Sequence, residues 1–312
     1  MYNVVAMKDF VGNKATISYL EQAIANDNVS HAYLFCGPEG VGKTKAGLHF
    51  AKLLLCESEK PLDCKGCPSC KLFESGSHPD FHHLDKEAVL VDEVRELISS
   101  LELRPYRGKG KVALVSHTER LTNQALNSFL KTLEEPTSQT TIILTTENKN
   151  NLLPTIVSRA RQVNFGLSAD RQIFEHLNIE MSVKKEEAAR ITSLASGRIG
   201  VAIALSENDG VASEIATLVG DFNRIYKSQD IYEKISFADK MAKDKDNLIS
   251  NLHYLELATR SELMRQTKES GDRVRMTELL TLMDKISRSR EMVNKNANTR
   301  LVIEGLLLGS MS

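Results

Sequence analysis

No apolar run in this sequence approaches the roughly 18 residues that a membrane-crossing helix needs. The opening stretch MYNVVAMKDF lacks the basic-then-apolar layout of a signal peptide. These two absences predict a cytoplasmic chain with no membrane partner. The net charge of −1 over 312 residues gives no overall basic field. Contact with nucleic acid must then come from a local patch or a shared assembly. Internal repeats and low-complexity tracts are absent too. So is proline after Pro154: all seven lie at or before it. The proline-free half shows helical periodicity, as in VASEIATLVGDFNRIY and MTELLTLMDKISRSREMV.

The rest of the composition is ordinary for a globular protein, at 41% hydrophobic and 26% charged. Its length allows about two or three domains, each with its own core. The first half alternates short β-rich runs with helical stretches, the pattern of a parallel α/β sheet. Strands are expected at Ala32–Cys36, Val112–Ser116, Thr141–Thr145 and Gln162–Phe165. Quieter boundaries fall near Gly166–Ser168 and Asp209–Gly210.

The stretch GPEGVGKT, Gly37 to Thr44, fits the P-loop pattern in full. It follows the strand AYLFC and opens the helical KTKAGLHFAKLLL, the context that the motif requires. Gly37, Gly40 and Gly42 let backbone amides turn around phosphate oxygens, and the helix N-terminus adds positive potential. Lys43 would reach the β- and γ-phosphates of ATP, and the Thr44 hydroxyl would ligate Mg²⁺. Hydrolysis also needs an acid for the metal and a group to orient water. After the strand VALV, where such acids are usual, stand Ser116 and His117. Neither is a good magnesium ligand. The site therefore reads as competent to bind and poor at turnover. The alternative, that Glu119 supplies the carboxylate, stays open.

Cys56, Cys64, Cys67 and Cys70 are spaced C-x7-C-x2-C-x2-C. Two overlapping C-x-x-C turns present three thiolates to one point, and Cys56 at a helix end can supply a fourth. Four thiolates around tetrahedral Zn²⁺ make a closed structural site. A disulfide framework does not suit a cytoplasmic chain, and a lone redox pair leaves two cysteines unexplained. Cys36 reads as a small core residue, and His78, His82 and His83 as surface or packing residues.

A P-loop interrupted by a four-cysteine insert resembles the bacterial replicative clamp-loader subunits, a branch of the AAA+ superfamily. The stretches HAYLFCGPEGVGKT, LNSFLKTLEEP, LLPTIVSRARQVNF, SGRIGVAIAL and NTRLVIEGLLL look like those of the delta-prime family of DNA polymerase III. The resemblance implies α/β plus all-α architecture. It comprises a RecA-like nucleotide-binding domain at 1–167 with the zinc module at 56–70, a helical lid at 168–208 and a helical collar at 209–312. It implies hetero-oligomeric partners, the gamma/tau and delta subunits, with the sliding clamp and primer-template DNA in the assembly. Arg159, in the SRA that matches a Ser-Arg-Cys motif, becomes an arginine finger acting in trans on a neighbour's γ-phosphate. Thr146 becomes a γ-phosphate sensor. The competing reading is an ATP-hydrolysing gamma/tau-type motor. Such a motor would carry an Asp-Glu pair in place of Ser116-His117, and a lid arginine at Gly200. A separate basic stretch, RPYRGKGKV, carries Arg104, Arg107, Lys109 and Lys111 and reads mainly as a solvated loop.

Overall fold

In a computed structural model, residues 10–85, 91–107, 110–135, 139–207, 210–243, 245–269 and 272–309 are described. Lys109 and the expected boundary at 208–209 lie outside them. Strand β1 (Ala32–Cys36), β2 (Phe81–Leu84), β3 (Lys111–Val115), β4 (Thr140–Thr146) and β5 (Arg161–Asn164) form one parallel sheet. Their order is β2-β3-β4-β1-β5. Four fall on the expected runs. The fifth, β2, reads FHHL, and its histidines hide the apolar pattern. They are accommodated because, among the described residues, β2 pairs only with β3 and the Nε2 of each ring meets a hydroxyl.

Alternation along each strand divides the core between the two faces of the sheet. Ala32, Leu34, Ala113, Val115, Ile142 and Leu144 pack against α4 (Val91–Glu102), α5 (Asn123–Glu134) and α6 (Pro154–Arg159). Tyr33, Phe35, Val112, Leu114 and Ile143 pack against α1 (Lys14–Ala25), α2 (Lys43–Leu54) and α3 (Pro68–Glu74). A sheet covered on both faces explains why β1 and β3 read as nearly continuous apolar runs. Phe50 of α2, fully buried, meets Tyr33 edge-on at 5.0 Å between ring centroids. Truncating it to alanine would cost about 3–5 kcal/mol.

The chain divides into two compact units. The first runs to Ala169 and takes in Arg198–Gly200; the second holds Asp170–Gly197 and the residues from Val201 onward. The second unit is helical. It contains α7 (Asp170–Glu175), followed by a π turn at His176–Glu180, then α8 (Lys185–Ala195). After these come most of α9 (Ile199–Ser206), then α10 (Val211–Lys227), α11 (Ile231–Met241), α12 (Lys245–Glu269), α13 (Arg273–Asn294) and α14 (Thr299–Leu308). With no proline to remove an amide, α12 and α13 run for 25 and 22 residues. Asp230, Asp272 and Asn298 cap α11, α13 and α14 through their side-chain oxygens. Phe222, Leu252, Ile286, Ile303 and Leu306 form the shared core. Among the described residues, no helix is long and apolar enough to cross a membrane.

Candidate functional site

Gly37 to Lys43 carry the chain from the end of β1 into the first turn of α2. Gly42 sits at the helix entrance with φ +97°, a conformation that strains any residue with a Cβ. Lys43 is buried, and its ammonium donates to the carbonyls of Gly37 at 2.6 Å and Pro38 at 2.8 Å. Burial pulls its pKa below the usual lysine value, opposed by the carboxylates of Glu147, Glu119 and Glu39. The loop thus holds the buried Lys43 side chain against its own backbone carbonyls.

Beside it, Ser116 follows the last residue of β3 and is buried. Its Oγ lies 3.3 Å from the Thr44 hydroxyl and 3.1 Å from His83 Nε2. Ser116 therefore occupies the place opposite Thr44 where a metal-binding acid would stand. His83 approaches Asp85 through the same Nε2, at 3.9 Å. The three side chains accordingly do not make a nucleophilic triad, whose carboxylate must orient the other ring nitrogen. Burial lowers the His83 pKa, which favours the neutral ring.

His117, at φ +51°, turns the chain away, its amide held by Thr145 Oγ1 at 3.1 Å. Glu119 then folds back toward the end of β4, where it accepts from the Glu147 amide at 3.4 Å. Burial pushes the Glu119 carboxyl up. Interactions with His117, Thr146 and nearby amides together outweigh that and hold it below the usual range. Glu147 is pushed up, by partial desolvation and then by the carboxylates of Glu39 and Glu119. Thr146 is buried, its Oγ1 donating to the Asn148 carbonyl and accepting from the Asn148 amide, both at 3.2 Å.

Some distance along α2, Cys56 follows the helix end, Cys67 caps α3 and Cys70 lies in its first turn. Cys56 and Cys67 have their sulfurs 3.8 Å apart, and Cys64 and Cys70 theirs 3.9 Å apart. Thiolates about 2.3 Å from a tetrahedral ion stand about 3.8 Å from one another. The four sulfurs fit one such ion and are far too distant for disulfides. Amides of Cys67 and Cys70 donate to the sulfurs of Cys64 and Cys67 at 3.3 and 3.4 Å. Burial resists ionisation of Cys67, but donors at Cys70 and Glu57 and neighbouring thiols bring it down to about 6. The cluster can hold a metal. Cys36 is buried in β1, apart from this group. His78 is buried as well, bonded to Ser69 Oγ at 2.8 Å, and packs beneath the module without joining it.

Residues 12–168 match the family described as DNA polymerase III, delta subunit. The chain belongs to that family. It is 34% identical over 202 residues to the DNA polymerase III subunit delta' of Bacillus subtilis, covering 64% of this chain and 61% of that protein. It is 30% identical over 273 residues to the tau subunit of the same organism, covering 84% of this chain and 46% of that protein. The chain thus matches only part of the length of these relatives. A DNA polymerase III gamma subunit-related protein from Thermotoga maritima shares the fold, with a TM-score of 0.52. At 19% identity that alignment covers 94% of this chain and 97% of the other. The parallel sheet with its P-loop is thus an AAA+-like fold of the DNA polymerase III clamp-loader family, followed by a helical C-terminal region.

Arg159 ends α6 and is about one-third exposed. Its Nη2 pairs with Glu134 Oε1 at 2.5 Å, and Nη1 donates to the Thr155 carbonyl at 2.9 Å. Arg161, two residues on, places its guanidinium 5.0 Å from the centre of the Tyr19 ring. The basic stretch also departs from a solvated loop. Asp80 is buried and accepts the amides of Tyr106 and Arg107, at 2.7 and 2.9 Å. Arg107 pairs with Glu57 at 2.6 Å, next to the cysteine module, while Lys111 is buried with Nζ on the Ser100 carbonyl. These two basic residues are committed inside the first unit.

Gly200, also of the first unit, donates its amide to the Gly40 carbonyl at 2.7 Å. A Cβ there would come within 2.9 Å of that oxygen. An arginine at this position would require the phosphate loop to shift. Gly200→Ala would gain about 1 kcal/mol in an open helix; here it is expected to lower Tm. A raised or unchanged Tm in thermal denaturation would show that the Gly40 carbonyl gives way freely.

Proposed function

We propose that this chain is a delta-prime-type clamp-loader subunit, a nucleotide-binding but poorly hydrolysing scaffold that supplies an arginine in trans. The observation that carries the reading is Ser116, whose hydroxyl faces Thr44 where an acid would hold the metal. The residues present fit ATP with Mg²⁺: the amides of Gly37, Gly40 and Gly42 would cradle phosphates, Lys43 would neutralise them, and Thr44 would ligate the ion. Bound Mg²⁺-ATP would supply the phosphate charge that Lys43 faces. With no acid at Ser116, it would lack the group that holds the metal through turnover. Thr146 would sense the γ-phosphate from the end of β4. Residues 168–208 would act as a lid and 209–312 as a collar joining gamma/tau and delta subunits around the clamp and primer-template DNA. Cys56, Cys64, Cys67 and Cys70 would hold one structural Zn²⁺.

The test is steady-state ATPase measurement on the purified chain, paired with equilibrium binding of a fluorescent ATP analogue. Saturable binding that Lys43→Ala abolishes, with turnover at or near background, is the expected result. Robust turnover lost in Lys43→Ala would instead favour the gamma/tau-type motor. In that case Glu119→Gln should abolish the activity too, since no other carboxylate follows β3 so closely.

A further inference from the structure

The turns that follow β3 and β4 bring three donors together past the end of the sheet. His117 Nδ1 and one carboxylate oxygen each of Glu119 and Glu147 all lie within 4.8 Å of one another. The group is not a plain acidic patch, because an imidazole completes it. Nor is it a satisfied ion pair, because His117 Nδ1 and Glu119 Oε1 are 3.9 Å apart, beyond hydrogen-bonding distance. The second Glu119 oxygen, Oε2, is buried and has no hydrogen-bond partner among the described residues. Leaving a buried acceptor unpaired is unfavourable by about 1–3 kcal/mol, and more for a charged group. Two neighbouring carboxylates add repulsion. One cation between the donors would remove both penalties.

The donor set also selects the ion. Mg²⁺ demands near-ideal octahedral oxygen and keeps its waters, so a nitrogen ligand is a poor substitute. Imidazole combined with carboxylates suits the first-row divalent cations, and three protein ligands leave positions open for water or a phosphate oxygen. Thiolates select softer ions, which separates this group from the cysteine cluster. The P-loop hydroxyl of Thr44 faces Ser116 and is not among these three donors.

We propose that His117, Glu119 and Glu147 form a second cation site, one that takes a first-row divalent cation such as Mn²⁺ in preference to Mg²⁺. It binds without nucleotide, so it stands or falls separately from the function proposed above.

The experiment is electron paramagnetic resonance of Mn²⁺ titrated into the full-length, zinc-replete chain without nucleotide. Loss of the free-ion signal should report one Mn²⁺ per chain, displaced by Mg²⁺ only at large excess. Glu119→Gln and His117→Ala should each weaken binding about tenfold or more, while Thr44→Ala leaves it unchanged. Glu147→Gln, on an exposed turn, gives the same readout if either of the first two fails to fold. Three results would overturn the proposal. One is no Mn²⁺ bound; another is equal competition by Mg²⁺. The third is binding lost in Thr44→Ala but kept in Glu119→Gln, which would move the ion to the P-loop.

Discussion

Arg159→Ala is expected to leave the chain folded while sharply reducing the DNA- and clamp-stimulated ATPase of a reconstituted loader. The structure sets the folding side of this expectation. Arg159 is partly exposed and its pairing with Glu134 lies at the surface. Such pairs contribute about 0–1 kcal/mol, so Tm should move by only a few degrees. The catalytic side rests on the proposed trans role. A supplied arginine is worth roughly 10³–10⁵ in rate at a single phosphoryl-transfer site. The loss summed over the loader would be smaller, because other sites keep their own arginines. Arg159→Lys should rescue only in part, since a point ammonium cannot reproduce a planar two-pronged contact. Glu134→Gln is informative in the other direction, because it frees the guanidinium from its partner within the chain. It should leave the ATPase at or above wild type. Arg161→Ala is the control, and a better one than a solvated arginine would have been. Its contact with Tyr19 is worth about 0.5–1 kcal/mol, so it matches the stability loss without the proposed role. Equal, mild effects from Arg159→Ala and Arg161→Ala on the loader would reduce Arg159 to a surface residue.

What could be read from sequence follows how far apart in the chain the interacting groups lie. The P-loop and the cysteine spacing are contiguous, so residue type and spacing carry them without knowledge of the fold. Strands β1, β3 and β4 were legible because both faces are buried, which leaves a run of apolar residues. β2 was not, since FHHL replaces that run with rings that need hydroxyl partners from α4 and from the residue after β3. Pairings set by the sheet order were also out of reach. Glu119 meets Glu147 only because β3 lies next to β4. The Arg159–Glu134 and Arg161–Tyr19 contacts require α6 against α5 and β5 near α1. The backbone contact of Gly200 with Gly40 carries no side-chain signal at all. The substitution of Ser116 for an acid was legible, but its geometry against Thr44 and His83 was not.

Cys67→Ser is expected to give the largest loss of stability, together with loss of bound zinc. Cys67 occupies the centre of the module. It caps α3 and its sulfur accepts from the Cys70 amide. The same sulfur stands 3.8 Å from that of Cys56. Serine can retain a cap, but its hydroxyl cannot match a thiolate as a ligand for Zn²⁺. Three ligands then remain in a site built to be closed. Removing a structural metal belongs to the few changes that exceed about 4 kcal/mol. In a unit of this size that corresponds to a fall in Tm of roughly 8–16 °C. The effect should stay local in its chemistry, because Ser69, itself bonded to His78, ties the module to the end of α2 and not to the phosphate loop. Nucleotide affinity measured well below the new Tm should therefore be unchanged. Metal analysis of the wild-type chain should find one zinc per molecule, and chelation should lower its Tm to that of Cys67→Ser. Acid should do the same, since every ligand must be deprotonated to hold the ion. A folded wild-type protein that contains no zinc, and whose Tm ignores both chelator and Cys67→Ser, would reduce the four cysteines to packing.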